Sequence, residues 1–240
     1  MTELASTIRM PAAVRGVLER IGRLADRQGV FAYAVGGCVR DWRLGIAAAP
    51  DLDITVEGDA LGVARAVAEA LGARAVIHQQ FGTATVALGR SRIDFASCRR
   101  ETYARPAAYP TVSPGTLDDD LFRRDFTINA MAVAIAPGRF GAFVDPFGGA
   151  RDLRAGLLRI LHPRSFLDDP SRIVRGIRFL CRFRLRWDAA TEAAAREAIA
   201  SGALGLLNAG RLQRELERLG SEPDAAACFQ EFARLLHEAA

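Results

Sequence analysis

The chain has 240 residues, half of them apolar and a quarter charged, and this balance excludes a disordered, fibrous or collagen-like chain. No apolar run approaches the roughly 20 residues that span a bilayer, and the first ten residues lack the pattern of a signal peptide, so we expect a cytoplasmic protein. The four cysteines are scattered, without zinc-site or disulfide spacing. All 32 basic residues are arginine. Base composition of the gene explains that number, so only the positions of the arginines can indicate function.

The first two thirds of the chain are predicted to mix helices with strands. Apolar residues recur at helical spacing in two segments, and short apolar runs bounded by glycines read as strands. The elements expected in chain order are a helix at 11–29, strands at 31–35 and 51–56, a helix at 60–71, and strands at 74–78, 83–88 and 91–96.

The composition then changes twice. The segment 99–116 contains three prolines and cannot continue a helix or a central strand, so it is predicted to be a long loop. Apolar segments, which predict further regular structure, follow at 127–135 and 142–145. Beyond about Leu161 the strand signal ends, and helical periodicity predicts helices at 166–186, 190–200, 209–219 and 223–238.

Two aspartates on one predicted strand are the first candidates for chemistry. Asp51 and Asp53 stand two residues apart, and side chains alternate between the faces of a strand, so both carboxylates project to the same side. Mg²⁺ prefers carboxylates combined with substrate phosphates and waters, and a pair of such ions supports in-line phosphoryl transfer. The pattern predicts a catalytic metal site, although alternating aspartates are also ordinary on an exposed strand.

A glycine pair precedes these carboxylates. Gly36 and Gly37 lie between a strand and a helix, where backbone N–H groups can approach phosphate oxygens, and Arg40 adds positive charge. The alternative is a tight turn with Arg40 in a surface ion pair, but the adjacent carboxylates favour a nucleotide triphosphate. A third carboxylate, Asp94, lies on another predicted strand and either joins the cluster or braces an arginine.

Five segments carry these and further charged residues. They are GGCVRD (36–41) with DLDITVEG (51–58), RRDFTINAMAV (123–133), DPFGGARDL (145–153) and DDPSRIVRGIRF (168–179). In this order and spacing they resemble the class II tRNA nucleotidyltransferases and the related bacterial poly(A) polymerases, over roughly residues 30 to 220.

The resemblance implies an α+β fold. A nucleotidyltransferase head of the polymerase-β-like kind, with a small mixed sheet and helices, is expected at residues 1–160. An all-helical neck that recognises the nucleotide base is expected at 161–240. The body and tail domains that follow in the family are expected to be absent from these 240 residues.

The resemblance also implies residue roles. Asp51 and Asp53 become the Mg²⁺ ligands and catalytic residues for attack of the RNA 3′-hydroxyl on the α-phosphate, with release of pyrophosphate. Asp125 is expected to orient Arg124. The residues implied to bind the nucleotide are Gly36, Gly37, Arg40, Arg124, Asn129, Asp169, Arg172, Arg175 and Arg178.

The family's base-reading element is matched by Asp168 to Arg172. A carboxylate accepts from an exocyclic amino group while a guanidinium donates to a ring nitrogen or carbonyl, so Asp169 and Arg172 can select cytosine and adenine. On a single helix, Asp169 lies about 60° from Arg172, and Arg175 and Arg178 continue the polar face. In the following segment, Gly210 replaces an acid that is usual in the family before Arg211, which weakens the expected bracing of this element.

The reaction predicted from these features is addition of C and A residues from CTP and ATP to the 3′ end of tRNA, which restores the CCA terminus. Addition of A alone, poly(A) synthesis and a non-catalytic RNA-binding role remain alternatives, whereas CC-only addition is disfavoured because 99–119 looks full length. Aromatic residues are expected mainly in the core; Phe126 and Phe147 could stack on a base.

Overall fold

The computed structural model describes residues 8–46, 51–89 and 91–239. The chain divides into two compact units. The first unit holds the chain up to Arg100 together with Ser113–Arg124 and Asn129–Ala150, and the second unit holds Glu101–Val112, Asp125–Ile128 and the chain from Arg151 onward. The assignment of the two parts as catalytic head and base-recognising neck, with a boundary at residue 160, stays a prediction.

The described residues form both strands and helices. The strands are β1 (Phe31–Val35), β2 (Asp51–Glu57), β3 (Ala75–His78), β4 (Thr83–Leu88), β5 (Ser91–Ser97), β6 (Arg99–Thr102), β7 (Thr111–Pro114), β8 (Ala132–Ala134), β9 (Phe143–Val144), β10 (Leu157–Leu158) and β11 (Arg186–Trp187). The helices are α1 (Ala12–Arg27), α2 (Gly37–Arg43), α3 (Ala60–Leu71), α4 (Leu117–Phe122), α5 (Gly149–Arg154), α6 (Ser165–Asp168), α7 (Ser171–Phe183), α8 (Ala189–Ala200), α9 (Ala209–Gly220) and α10 (Ala225–Glu238). Within this part of the chain, no helix has the length and apolar character needed to cross a bilayer.

The first unit is built on a mixed sheet with strand order β3-β4-β5-β2-β1-β8-β9. The β2–β5 pair is parallel and the other neighbours are antiparallel. Consequently β2, β5 and β8 begin at the end of the sheet where β1 and β9 finish. We call this the Asp53 end of the sheet, because Asp53 lies opposite Asp94 there.

Alternation along β2 separates the core of the first unit from its polar face. Leu52 and Ile54 are buried, whereas Asp51 and Asp53 are exposed. The apolar side packs in a core that includes Leu18 of α1 and residues of α3 such as Val63. Burying a side chain of this size stabilises the fold by about 1.5–3 kcal/mol, so the apolar residues fix the register of β2. That register places the two carboxylates on the opposite face of the strand.

From Arg151 onward, the described residues of the second unit are helical apart from loops and the two-residue parallel pair β10–β11. Its core contains an aromatic cluster in which Phe126 packs edge-on against Phe179 with ring centroids 5.9 Å apart. Phe166 meets Trp187 in the same way at 6.2 Å. The fold class predicted from the sequence, a mixed α+β part followed by a helical part, is confirmed.

Two details of the predicted elements are wrong. The predicted helix 166–186 is broken, because Asp169 is extended (φ −140°, ψ 91°) before Pro170, which disfavours helical backbone in the residue ahead of it. The single-helix angle assigned to Asp169 therefore does not apply. The predicted loop 99–116 contains the two strands β6 and β7, which pair in a sheet of their own. Neither is a central strand of the large sheet, as expected.

A glycine on α7 provides a test of the aromatic core. A Cβ at Gly176 would collide with Trp187 and come within 2.9 Å of Phe126 Cζ, so we expect Gly176→Ala to lower the free energy of unfolding by about 1–3 kcal/mol. The matched control is Gly16→Ala on α1, where nothing lies within 4 Å and helix propensity predicts a gain of roughly 0.5–1 kcal/mol. Urea denaturation measures both, and equal stabilities would contradict this packing.

Candidate active site

The carboxylates of β2 lie at the Asp53 end of the sheet. In the β2–β5 register, Asp51 is opposite Arg92 and Asp53 is opposite Asp94. Both β2 carboxylates are exposed on the face opposite the core, as the two-residue spacing predicts. A Cβ placed on Gly36 would stand 3.8 Å from Asp53 Oδ2, so the glycine turn after β1 lies directly beside the carboxylate.

The environment of Asp53 disfavours its charged form. Removal of water by the surrounding protein raises the pKa of Asp53, although more than a third of the residue is exposed, and the negative charges of Asp94 and Asp51 raise it further. Arg124 and Arg92 act in the opposite direction, and the net pKa is raised. Such crowding of negative charge is relieved when a cation binds.

Asp94 braces an arginine. Its Oδ2 lies 3.0 Å from Nε of Arg92, and its Oδ1 accepts a 2.6 Å hydrogen bond from the Thr85 hydroxyl. Arg92 also approaches Asp51, with Nη2 at 3.5 Å from Oδ2. Both alternatives for Asp94 are therefore observed, since it lies opposite Asp53 and also braces Arg92, which is a cationic neighbour of the β2 carboxylates.

The donor set fits a magnesium ion bound together with a substrate. The described residues contain no group of three or more His, Cys, Asp or Glu side chains arranged to hold a metal. Mg²⁺ does not need such a cage, because it keeps waters and is often held by one or two carboxylates plus substrate phosphates. The exposed Asp51–Asp53 pair supplies those two carboxylates.

The turn between β1 and α2 needs glycine. Gly36 has φ 74°, and a Cβ there would lie 2.7 Å from Nη1 of Arg124. Its backbone N–H donates to the carbonyl of Met131, which joins the turn to the start of β8. The missing side chain therefore allows the guanidinium of Arg124 to reach the carboxylate face.

Arg40 is buried and internally bonded. Only 6% of the residue is exposed, and Nη1 donates to Oδ1 of Asn129 at 2.6 Å. Nε and Nη2 both donate to Oδ1 of Asp41. Arg40 and Asn129, each predicted to bind the nucleotide, are thus bonded to each other, and their contact ties α2 to the segment before β8.

Asp120 is a site residue that the sequence analysis missed. It is fully buried, and its two oxygens accept from Arg123 at 2.7 Å and from Arg124 at 3.0 Å. Burial alone would raise the pKa of Asp120, but the charges and hydrogen bonds of the two arginines outweigh it and lower the pKa. The signal was available, since Asp120 stands three and four residues before the arginine pair.

Asp125 does not have the role expected for it. Asp120 is the carboxylate that holds Arg124, whereas Asp125 pairs with Nε of Arg175 at 2.7 Å and accepts from the backbone N–H of Phe126. Phe126 itself is fully buried, so the idea that it stacks on a base is wrong.

In the second unit, Asp169 is held through one oxygen. Oδ1 accepts from the backbone N–H and hydroxyl of Ser171 at 3.1 and 2.5 Å and pairs with Nη2 of Arg211 at 2.8 Å. Because all three contacts are made by Oδ1, Oδ2 of Asp169 can still accept a hydrogen bond from another group. Arg211 holds Asp169 even though Gly210 stands where the family usually has an acid. Arg211 was not among the site residues predicted from the sequence.

The arginines of α7 differ in their surroundings. Arg172 is buried and donates from Nη1 to the hydroxyl of Ser165 at 2.7 Å. Arg178 lies 3.7 and 3.9 Å from Glu222 and Glu215, and burial lowers its pKa. It lines a cleft of about 320 Å³ between α7 and α9 with Arg182, Arg214, Glu217, Arg218 and Ser221.

Each unit therefore assembles its own subset of the predicted residues. In the first unit, Asp51, Asp53, Gly36 and Arg124 are neighbours, and Arg40 is joined to Asn129. In the second unit, Asp169 and Arg172 flank Ser171 at the start of α7, and Arg175 and Arg178 follow along that helix.

Comparison with known proteins identifies the family. A family model described as the poly A polymerase head domain matches residues 32–159, which is more than half of the chain. An A-adding tRNA nucleotidyltransferase of Halalkalibacterium halodurans is 41% identical over 222 residues, covering 91% of this chain and 52% of the relative. A CC-adding tRNA nucleotidyltransferase of Deinococcus radiodurans is 45% identical over 153 residues, covering 63% of this chain and 40% of the relative.

Solved structures agree with this assignment. A tRNA nucleotidyltransferase complexed with a primer tRNA and an incoming ATP analog superposes with a TM-score of 0.82 at 37% identity, covering 90% of this chain and 60% of that structure. The resemblance predicted from the five motifs is confirmed. The chain spans about half the length, or less, of the two curated relatives described above.

The buried Asp120 provides a test of the first unit's site. We expect Asp120→Asn to lower the free energy of unfolding by about 3–5 kcal/mol at neutral pH, because two arginines lose a buried carboxylate. Since the folded pKa is lowered, the stabilisation is complete above the ordinary pKa of about 4 and is lost as pH falls through the folded value.

The difference between wild type and Asp120→Asn should therefore shrink as the pH falls below about 4 in urea denaturation. Asp118→Asn is the matched control, because Asp118 lies on the same helix but is exposed, and a change within roughly 0.5 kcal/mol is expected. Equal losses for the two variants would show that Asp120 does not organise the arginine pair.

Proposed function

The chain belongs to the family of poly(A) polymerase head domains, and from this premise we propose that it is the catalytic part of a tRNA nucleotidyltransferase. It adds C and A residues from CTP and ATP to the 3′ end of tRNA and releases pyrophosphate. The observation that carries the proposal is the exposed Asp51–Asp53 pair beside the Gly36 turn and the Arg124 guanidinium. In this proposal, residues 1–160 are the catalytic head and residues 161–240 are the neck that reads the base.

The cation proposed for this site is Mg²⁺, in a family whose enzymes generally use divalent metals. Asp51 and Asp53 would hold it, and Asp94 acts through Arg92. When bound there, Mg²⁺ would offset the negative charge of the triphosphate and would lower the pKa of the attacking hydroxyl. The raised pKa of Asp53 agrees with the proposal, because a cation held there, in addition to Arg124 and Arg92, would relieve the repulsion among the three aspartates.

The chemical step is an in-line displacement. The oxygen of the RNA 3′-hydroxyl forms a bond to the α-phosphorus, the bond from that phosphorus to the bridging oxygen breaks, and pyrophosphate leaves; the hydroxyl proton passes to solvent. Arg124, held by Asp120 and aimed past Gly36, is placed to neutralise charge on the phosphates. Arg40 and Asn129 act by holding the turn at Gly37 in place.

Base selection is proposed for Asp169 and Arg172. Oδ2 of Asp169 accepts from the exocyclic amino group that cytosine and adenine share, and the Arg172 guanidinium donates to the ring nitrogen or carbonyl beside it. Uracil and guanine do not present this pattern at the same edge. Arg211 and Ser165 orient the two reading groups, and Arg175 and Arg178 are proposed to contact the nucleotide as well.

A second candidate is addition of A alone. It is favoured by the A-adding relative from Halalkalibacterium halodurans, which aligns with most of this chain at 41% identity. Poly(A) synthesis uses the same chemistry without a stop after one nucleotide. A non-catalytic RNA-binding role would give no reason to keep Asp51 and Asp53 together on the exposed face, so we rank it last.

One experiment separates these functions. The protein receives Mg²⁺ and tRNA transcripts that end before CCA, after C or after CC, with CTP and ATP supplied singly and together, and the products are sequenced. Growth to CCA from every transcript supports complete CCA addition. Extension of the CC-ended transcript alone supports A addition, a long A tract supports poly(A) synthesis, growth that stops at CC supports CC addition, and no extension contradicts catalysis by this chain.

The carboxylate pair provides the sharpest single substitution. We expect Asp53→Asn to lower incorporation by about a thousand-fold or more, because the metal loses a charged ligand, while the melting temperature does not fall. Asp26→Asn on α1 is the control, since Asp26 is an exposed acid outside the site, and its activity should match wild type. Activity retained in Asp53→Asn would remove the metal assignment.

The reading pair is tested by selectivity. Arg172→Ala is expected to raise misincorporation of UMP and GMP relative to CMP and AMP by roughly ten- to a hundred-fold, the range of a lost bidentate base contact. Arg211→Ala should produce a smaller change in the same direction, because Asp169 remains but is no longer braced. Arg196→Ala, which removes an exposed ion pair with Glu238, serves as the control. Unchanged selectivity in Arg172→Ala would contradict the reading role.

A further inference from the structure

An exposed aromatic pair lies on the first unit. The rings of Phe122 and Phe147 have centroids 5.7 Å apart and planes inclined by 44°. Phe122 ends α4 and is 46% exposed, and Phe147 is half-buried in the turn before α5. Exposing large aromatic surface has a free-energy cost, so a pair kept at the surface beside charged residues indicates a contact with a ligand.

The chain places both rings near the carboxylates. Phe122 stands two residues before Arg124, whose guanidinium reaches Gly36 and thus Asp53. Phe147 follows β9, and the β8–β9 pairing of Ala132 with Val144 places the end of β9 at the Asp53 end of the sheet. Three strand spacings, about 14 Å, separate β2 from β9.

We propose that Phe122 and Phe147 form a stacking platform for a base in the last two nucleotides of the RNA primer. This inference rests on the proposed function and adds the element that holds the primer rather than the incoming nucleotide. A platform of this kind tolerates different bases because every base has a π-face. The sequence alone could not assign it, since Phe126, which has the same aromatic character, is fully buried in the second unit.

Charges of both signs lie close to Phe122 in the chain, with three aspartates on α4 before it and two arginines after it. The arginine pair that follows Phe122 in the chain is anchored by Asp120, which forms an ion pair with both guanidinium groups and so fixes their positions. Aromatic faces interleaved with guanidinium groups are the combination that binds single-stranded nucleic acid, with stacking on the bases and cations on the phosphates. In the proposed function the primer 3′ end must reach the carboxylates, and the proposal places its last bases on this aromatic surface.

The test measures RNA binding separately from catalysis. Short RNA primers carry 2-aminopurine in place of the last or the penultimate cytosine of a CC end, and its fluorescence falls when the base stacks on an aromatic ring. We expect quenching with wild type. Phe122→Ala and Phe147→Ala should lose it and weaken primer binding by about five- to 150-fold, with the KM for the nucleotide unchanged.

Matched variants separate stacking from packing. Phe122→Trp should restore quenching and affinity, whereas Phe122→Leu, which keeps apolar volume without a π-face, should not. Phe81→Ala is the control, because Phe81 is 62% exposed on the same unit but lies before Thr83, which pairs with Ala96 at the other end of the sheet. Melting temperatures of all variants are measured by circular dichroism.

The outcomes distinguish this inference from the proposed function. Incorporation without quenching, or full rescue by Phe122→Leu, would overturn the platform and leave the activity standing. Quenching that depends on Phe122 in a protein that incorporates no nucleotide would support the platform and contradict the activity. Neither quenching nor incorporation would overturn both.

Discussion

The strand register around β2 is the constraint on which the candidate site depends. Leu52 and Ile54 are buried, and that burial fixes which face Asp51 and Asp53 occupy. A slip of one residue would bury both carboxylates and expose the apolar residues, at a cost of several kcal/mol. Pairing with β5 on one side and β1 on the other then delivers Asp94, Arg92 and the Gly36 turn to the same end of the sheet. The packing of Leu52 and Ile54 in the core therefore determines where the neighbouring carboxylates of the site lie.

In both units, carboxylates and guanidinium groups hold one another in place. Asp120 holds Arg124, Asp94 holds Arg92, and Asp169 is itself held by Arg211. Guanidinium groups are rigid forks, so a buried or half-buried carboxylate behind them fixes the direction of their remaining donors. Because the chain has no lysine, each of its 32 Lys-or-Arg positions carries a guanidinium group that a carboxylate can orient in this way. In the proposed function, such pre-orientation would present fixed positive charge to a flexible triphosphate.

Much of this arrangement was predictable from the sequence. The i, i+2 spacing of Asp51 and Asp53 on a strand, and the need for glycine at Gly36, are local properties that a sequence displays directly. The break at Asp169 was also local, because Pro170 disfavours helix in the residue before it, but helical periodicity on both sides obscured it. The Asp169–Arg211 pair was not predictable, since the two residues are 42 positions apart and meet only after α9 packs on α7. Asp125 was assigned to Arg124 by adjacency in sequence, and the orientation of α4 gave that role to Asp120.

The central position of β1 has a consequence for how the protein is made. β1 pairs on one edge with β2, about twenty residues later, and on the other with β8, about a hundred residues later. At a ribosomal rate of about 5–20 residues per second, the second edge stays open for roughly 5–20 s. That edge carries Ala-Tyr-Ala-Val, an apolar strand able to pair with another nascent chain. The yield of folded protein in a cell is therefore expected to depend on chaperones that cover strand edges during synthesis.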